Sequence, residues 1–207
     1  MKKIIFALTA ITFIACSSSK DATKKETAMN TEKTEVTTKT PQMVSEKSSS
    51  EEINKTVPYK ESVILLGKAN RSGLKKAPFG SWFDKNFETY NIDEELVSKI
   101  APLLKDVKIT TFMGTWCGDS KRETPRLYKI LDAANYNYDN FKLITVSREK
   151  DTPSGYEEGL NITNVPTIIF YKDGEEMGRF VEYAIESLEA DVYAILSGAD
   201  YKHAYEE

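Results

Sequence analysis

The sequence predicts an α/β fold, a mixed β-sheet flanked by helices, preceded by a signal peptide and a disordered tether. Three observations predict it. Apolar runs rich in β-branched residues at 107–113, 141–147 and 168–171 alternate with stretches whose apolar residues recur at helical spacing. Asp173-Gly174 stands between two apolar runs, which is a strong hairpin signal. The aromatic residues are unevenly spread: 20 of the 22 lie at or beyond Tyr59, and residues 17–58 contain none.

Composition bounds the function. A chain of 207 residues holds one domain or at most two. A formal net charge of −4 argues against a nucleic-acid partner, which calls for a basic surplus. Two cysteines exclude a disulfide-dense scaffold, and with a single histidine, His203, they cannot build a Cys/His zinc site from this chain alone. No metal or other cofactor is expected. No apolar run reaches the ~20 residues of a membrane-spanning helix.

Residues 1–15 read as a signal peptide. Lys2 and Lys3 precede a short apolar run that ends at Cys16, which is followed by three serines. This resembles a bacterial lipoprotein signal, in which the cysteine is lipidated; an ordinary secretory signal with Cys16 incidental is the plainer alternative. The resemblance implies attachment to a lipid bilayer through acylated Cys16 in the bacterial cell envelope, with a periplasmic face favoured over surface exposure. Residues 16–58 read as lipidated cysteine and tether. Between 17 and 58, seven lysines balance seven acids and glycine is absent. So little apolar surface cannot offset the entropy of ordering the chain. Removing Lys2, Lys3 and this balanced segment leaves 19 basic and 25 acidic residues for 59–207, a net charge of −6. About 150 residues suffice for one proper core.

Within 59–207, residues 63–66 read as a short strand. Phe79, Trp82, Phe83, Phe87 and Tyr90 recur at helical spacing. Asp93 caps a helix carrying Leu96, Val97, Ile100 and Leu103, which Pro102 bends or ends. The strand at 107–113 leads into a helix after Cys117, with Leu127, Ile130, Leu131 and Ala134 on one face. A strand at 141–147 follows, then a short helix with Tyr156, Glu157 and Glu158. Two strands joined at 172–174 come next, at 168–171 and 177–181. The last helix carries Ile185, Leu188, Val192, Ile195 and Leu196, with Gly198 as its C-terminal stop. The order is β-α-β-α-β-β-α.

The chemistry centres on Trp116-Cys117-Gly118-Asp119-Ser120. These residues place Cys117 at a helix N-terminus, where free N–H groups and the helix dipole favour the thiolate, the nucleophilic form. The surroundings resemble the thioredoxin family. Thr115-Trp116-Cys117-Gly118 matches the family's active-site turn, and Pro125 matches the proline that kinks its active-site helix. Val165-Pro166-Thr167 resembles its cis-proline loop, and Tyr171-Lys172-Asp173-Gly174-Glu175 its final hairpin. The resemblance spans about 104–198 and matches 59–106 poorly. It implies a thioredoxin-like sheet, a catalytic Cys117, and substrate contacts from Trp116, Gly118, Asp119, Val165, Pro166 and Thr167. If cis, Pro166 presents the backbone of Val165 to an extended substrate.

The departures shape the expected activity. Ser120 stands where the family carries its second cysteine, Asp119 where it carries proline, Thr111 in place of a buried acid and Glu182 in place of a glycine. Ser120 forms no disulfide, so a mixed disulfide on Cys117 is resolved by an external thiol reductant or by the substrate's own second cysteine. Ser120 is expected to hydrogen-bond the thiolate and so act with Cys117. Asp119 and Glu182 oppose the thiolate, whereas Lys121 and Arg122 offset them. The implied activity is monothiol reduction or isomerisation of protein or small-molecule disulfides. A non-catalytic binding or chaperone-like module is the alternative. A thiol peroxidase ranks last, because residues 113–117 lack the peroxidatic Pro-x-x-x-Thr-x-x-Cys pattern. Lys121, Arg122 and Arg126 read as a solvated helix face, Trp116 as a packing and rim residue, and His203 as solvated.

Overall fold

The computed structural model describes residues 52–206. The signal segment, Cys16 and nearly all of the expected tether lie outside the described residues. Strand structure reaches into the segment read as tether. Strand β1 spans Thr56–Tyr59, so its first three residues fall inside the segment read as tether, and it pairs antiparallel with β2, Ser62–Leu65. Asn54 joins this edge too: its amide donates to Asn70 Oδ1 at 3.0 Å.

A five-stranded sheet follows, ordered β3-β5-β4-β6-β7. Its strands are β3 (Gly67–Ala69), β4 (Lys108–Met113), β5 (Phe141–Thr145), β6 (Thr167–Lys172) and β7 (Glu175–Val181). Strands β4 and β5 run parallel and the remaining pairs antiparallel, so the sheet is mixed as expected. The β6–β7 turn is the predicted Asp-Gly pair, with φ of 53° at Asp173 and 90° at Gly174.

The helices are α1 (Arg71–Leu74), α2 (Gly80–Thr89), α3 (Glu94–Leu103), α4 (Gly118–Ala133) and α5 (Leu188–Ser197). Asp93 caps α3 by accepting from Leu96 N at 3.0 Å, and Pro102 sits in its last turn. Ser187 caps α5 by accepting from Ala190 N at 3.0 Å, and Gly198 stops it in the left-handed conformation. Ile185 precedes α5 and is exposed, so it is not part of the helix's apolar face.

Alternation along β4 sorts the core. Ile109 joins Leu127, Ile130 and Leu131 of α4 and Val192 and Ile195 of α5 on one face, where Met113 meets Phe83 of α2. Phe112 points to the other face, with Ile144, Val146 and Ile169. That second face is covered by Tyr156, Leu160 and Ile162, which lie in turns and irregular loop rather than in the expected short helix. Left-handed backbone at Gly155 and Gly159 leaves no room for a helix between them, and Thr152 closes the turn by accepting from Tyr156 N at 3.0 Å. Burying a side chain such as Phe112 or Phe170, both fully enclosed, contributes about 1.5–3 kcal/mol each.

The stretch before β4 is locked to the rest by Arg71. Its guanidinium forks onto Asp132 at 2.9 and 2.7 Å, donates to Tyr138 Oη at 2.6 Å and lies 4.3 Å from the Tyr128 ring centre.

Candidate active site

Strand β4 ends at Met113 and the chain turns through Gly114, Thr115 and Trp116 into α4, with Cys117 as N-cap. Cys117 N donates back to Gly114 O at 2.9 Å, and Lys121 N donates to Cys117 O at 3.1 Å. The indole of Trp116 lies directly on Gly114: a Cβ there would sit 2.4 Å from Trp116 Cε2. Trp116 Nε1 donates to Val146 O at 3.0 Å, and the Arg148 guanidinium stacks 4.7 Å from its ring centre. Trp116 is therefore the rim and packing residue expected, with an added cationic cover.

The half-buried Cys117 thiol donates to Val165 O at 3.1 Å. The Val165–Pro166 bond is cis, and Thr167 Oγ1 donates to Asn164 O at 2.7 Å to hold the loop. Cys117, Val165, Pro166 and Trp116 thus converge on one surface. Gly118 is exposed beside them at the start of α4.

Ser120 has a bond that the sequence did not suggest. It is fully buried, and its Oγ accepts from Gly114 N at 3.1 Å. That bond ties the first turn of α4 to the end of β4, so Ser120 holds the shape of the turn. Asp119 pairs with Arg122 at 2.6 Å, which meets the side chain expected to oppose the thiolate with a neighbour's charge. Arg122 also reaches the buried Glu123 at 2.5 Å, and Arg126 bridges Glu123 at 3.2 Å while stacking 4.6 Å from Tyr90. Burial disfavours the Arg122 charge, but the hydrogen bonds it donates to Glu123 and Asp119 outweigh that and hold the guanidinium above its ordinary range. Arg122 and Arg126 are members of an ion-pair network, not a simply solvated face.

Thr111, in the expected acid's place, is fully enclosed, and its Oγ1 has no hydrogen-bond partner among the described residues. Glu182 adopts φ of 66°, the left-handed conformation a glycine takes without strain. Its N–H donates to Pro166 O at 2.7 Å, and its carboxylate accepts from Asn164 Nδ2 at 2.8 Å and from the Tyr205 hydroxyl. The C-terminal tail is thereby fastened beside the Pro166 loop. His203, half-buried in that tail, approaches Glu206 at 3.8 Å.

Sequence reasoning missed the residues on the far side of Trp116. Arg148 Nε donates to Tyr59 Oη at 3.0 Å, and Thr115 Oγ1 accepts from Leu65 N at 3.2 Å, so the β1–β2 hairpin is bonded to the active-site turn. The parallel pairing of β4 with β5 is the signal that could have found Arg148, because it sets the C-terminal ends of both strands side by side. Among the described residues, no three His, Cys, Asp or Glu side chains gather to hold a metal ion.

A family model described as thioredoxin matches residues 82–193. A thioredoxin of Staphylococcus epidermidis is 32% identical over 91 residues, covering 44% of this chain and 80% of the relative. A thioredoxin of Staphylococcus haemolyticus is 30% identical over 93 residues, covering 45% and 78%. Among solved structures, thioredoxin O2 of Arabidopsis thaliana in the oxidised state matches at 20% identity, covering 46% of this chain and 82% of that one, with a TM-score of 0.32. A Pseudomonas aeruginosa protein of unknown function covers 59% and 86% at 16% identity, with a TM-score of 0.46. The family match takes in the active-site turn, the Pro166 loop and the last hairpin together, and on it the chain belongs to the thioredoxin family.

Proposed function

We propose that this protein is a membrane-anchored thiol–disulfide exchange protein of the bacterial envelope that works through one thiol, Cys117. The observation that carries the reading is the placement of Cys117. It is the N-cap of α4, its sulfur lies 3.1 Å from the carbonyl beside cis-Pro166, and serine stands three positions on. The anchor is acylated Cys16, and the segment to about residue 52 spaces the domain from the bilayer. Two acyl chains make such anchoring stable, where one is marginal.

The exchange runs as follows. The Cys117 thiolate attacks one sulfur of a substrate disulfide R–S–S–R′. The S–S bond breaks, a Cys117–S–S–R bond forms, and R′–S⁻ leaves and takes a proton from water. An external thiolate then attacks the R sulfur, forms a new disulfide with R and releases Cys117 as thiolate. Where R carries a second cysteine, that cysteine performs the same attack and the outcome is isomerisation. Val165 O, which accepts from the resting thiol, is the backbone group that an extended substrate segment engages.

Trapping in envelope extract tests this. Wild type accumulates mixed disulfides when no thiol is added, Cys117→Ser accumulates none, and Ser120→Cys resolves them internally. Alkylation of Cys117 no faster than that of a model thiol between about pH 5 and 9 would overturn it.

A further inference from the structure

A cleft of about 390 Å³ opens between the β1–β2 hairpin and the active-site turn. Its size suits a small ligand. Trp82 and Trp116, the chain's two tryptophans, both line it, with Tyr59. Its rim carries Lys60, Lys121 and Arg148, against Glu61 as the one acidic lining residue. This local surplus of positive charge runs against a net charge of −6 for residues 59–207.

Among the described residues, none of these three cations forms an ion pair. Arg148 donates to the Tyr59 hydroxyl and stacks on Trp116, and Lys60 lies 5.5 Å from the Tyr59 ring centre. Those contacts aim the charges without neutralising them. A guanidinium and two ammonium groups around a concave aromatic surface fit a carboxylate, which Arg can bind through two parallel bonds. Cys117 itself does not line the cleft, but its neighbours along the chain do. Thr115 and Trp116 line it and immediately precede Cys117, and Lys121 stands one helical turn beyond Cys117 on α4.

We propose that this cleft binds a low-molecular-weight thiol bearing carboxylates, and that this thiol is the external reductant that frees Cys117. The inference rests on the single-thiol exchange above, because a cycle with Ser120 in place of a second cysteine requires an outside thiol. The bound thiol L–SH attacks as L–S⁻ on the R sulfur of Cys117–S–S–R. The bond to Cys117 breaks, R–S–S–L forms, and Cys117 leaves as thiolate. Over one cycle R–S–S–R′ and L–SH become R–S–S–L and R′–SH, so sulfur, protons and electrons balance.

Two measurements test it on the full chain. The first uses Cys16→Ser/Cys117→Ser, which has no thiol, titrated with S-methylglutathione and followed by the fluorescence of Trp82 and Trp116. Saturation at millimolar concentrations is expected, with affinity about tenfold weaker in Lys121→Gln/Arg148→Gln and tighter in Glu61→Gln, a gain that damaged folding cannot mimic. No saturation, equal binding of the diester, or saturation by an acidic peptide alone overturns the site. The second loads Cys117 of the Cys16→Ser chain with a methylthio group and compares release of the free Cys117 thiol, read by intact mass, under glutathione and under 2-mercaptoethanol. Lys121→Gln/Arg148→Gln should lower the ratio of the glutathione rate to the 2-mercaptoethanol rate about tenfold; an unchanged ratio overturns the reductant role. If Cys117 takes up no label, the exchange reading fails, while the fluorescence titration still decides the site.

Discussion

The Cys117 thiol and the Val165 carbonyl oxygen are 3.1 Å apart, which joins the start of α4 to the loop that precedes β6. These residues are 48 positions apart in the chain. Their contact depends on β4 and β6 lying side by side, with Phe112 opposite Thr167. The site is therefore a product of the sheet, and the residues that keep the turn in register with the sheet govern it.

Ser120 is the first of these. Its buried Oγ accepts from Gly114 N, and removing that acceptor leaves a buried N–H unsatisfied. Ser120→Ala should destabilise the fold by about 1–3 kcal/mol. Ser120→Cys, which keeps a weak acceptor, should cost less under reducing conditions. Urea denaturation of both variants in excess reductant measures the difference.

Gly114 is the second. A methyl group at this position meets the Trp116 indole at 2.4 Å, so Gly114→Ala must push the ring off Val146 O. The expected cost is about 1–3 kcal/mol. Tryptophan emission should shift to the red as the indole gains solvent. Unchanged emission with unchanged stability would show that the turn absorbs the methyl group.

Arg71 makes the third prediction. Its fork onto Asp132 and its stack on Tyr128 are shared between hydrogen bonding and ring contact, at a site about a third exposed. Arg71→Ala should cost about 1–3 kcal/mol, discounted for solvent screening, and Arg71→Lys should recover less than half. Thermal melts of the two variants distinguish loss of charge from loss of the planar fork.

The tail contact gives a pH prediction. The hydrogen bond to Glu182 pushes the exposed Tyr205 phenol up from 10.0 to about 12. The folded-state value is raised, so the tail contact is fully present below about pH 10 and is lost as pH rises through about 12. Protease cleavage of the tail in wild type and Tyr205→Phe should differ up to about pH 10 and converge above about pH 12.

Local chemistry made much of this legible. Asp93, Ser187 and Gly198 act through bonds within a few residues, and β4, β5 and β6 carry the apolar, β-branched runs that strands need. Cys117 was legible because a strand, a turn and a helix start follow one another without interruption. What escaped is what depends on distant partners. The residues Thr56-Val57-Pro58-Tyr59 bury little, and they are a strand because Ser62–Leu65 pairs with them. Ser120 was read for its position relative to Cys117, but its Oγ bonds to the end of β4. The Tyr205–Glu182 contact and the Arg148–Tyr59 bond join residues 23 and 89 positions apart. The helix expected around Tyr156 failed for a local reason, since two left-handed glycines flank too few residues.

The bond from Leu65 N to Thr115 Oγ1 has a mechanical consequence. Leu65 is also the register partner of Thr56, the first residue of β1. A pull arriving along the chain before Thr56 first meets Asn54, whose N–H donates to Lys68 O at 2.9 Å and whose side chain bonds Asn70. Strand β3 of the large sheet therefore takes that load together with the hairpin, and Thr115 feels only the share that passes through Leu65. Force on the leading segment is divided between the sheet's edge and the turn before Cys117.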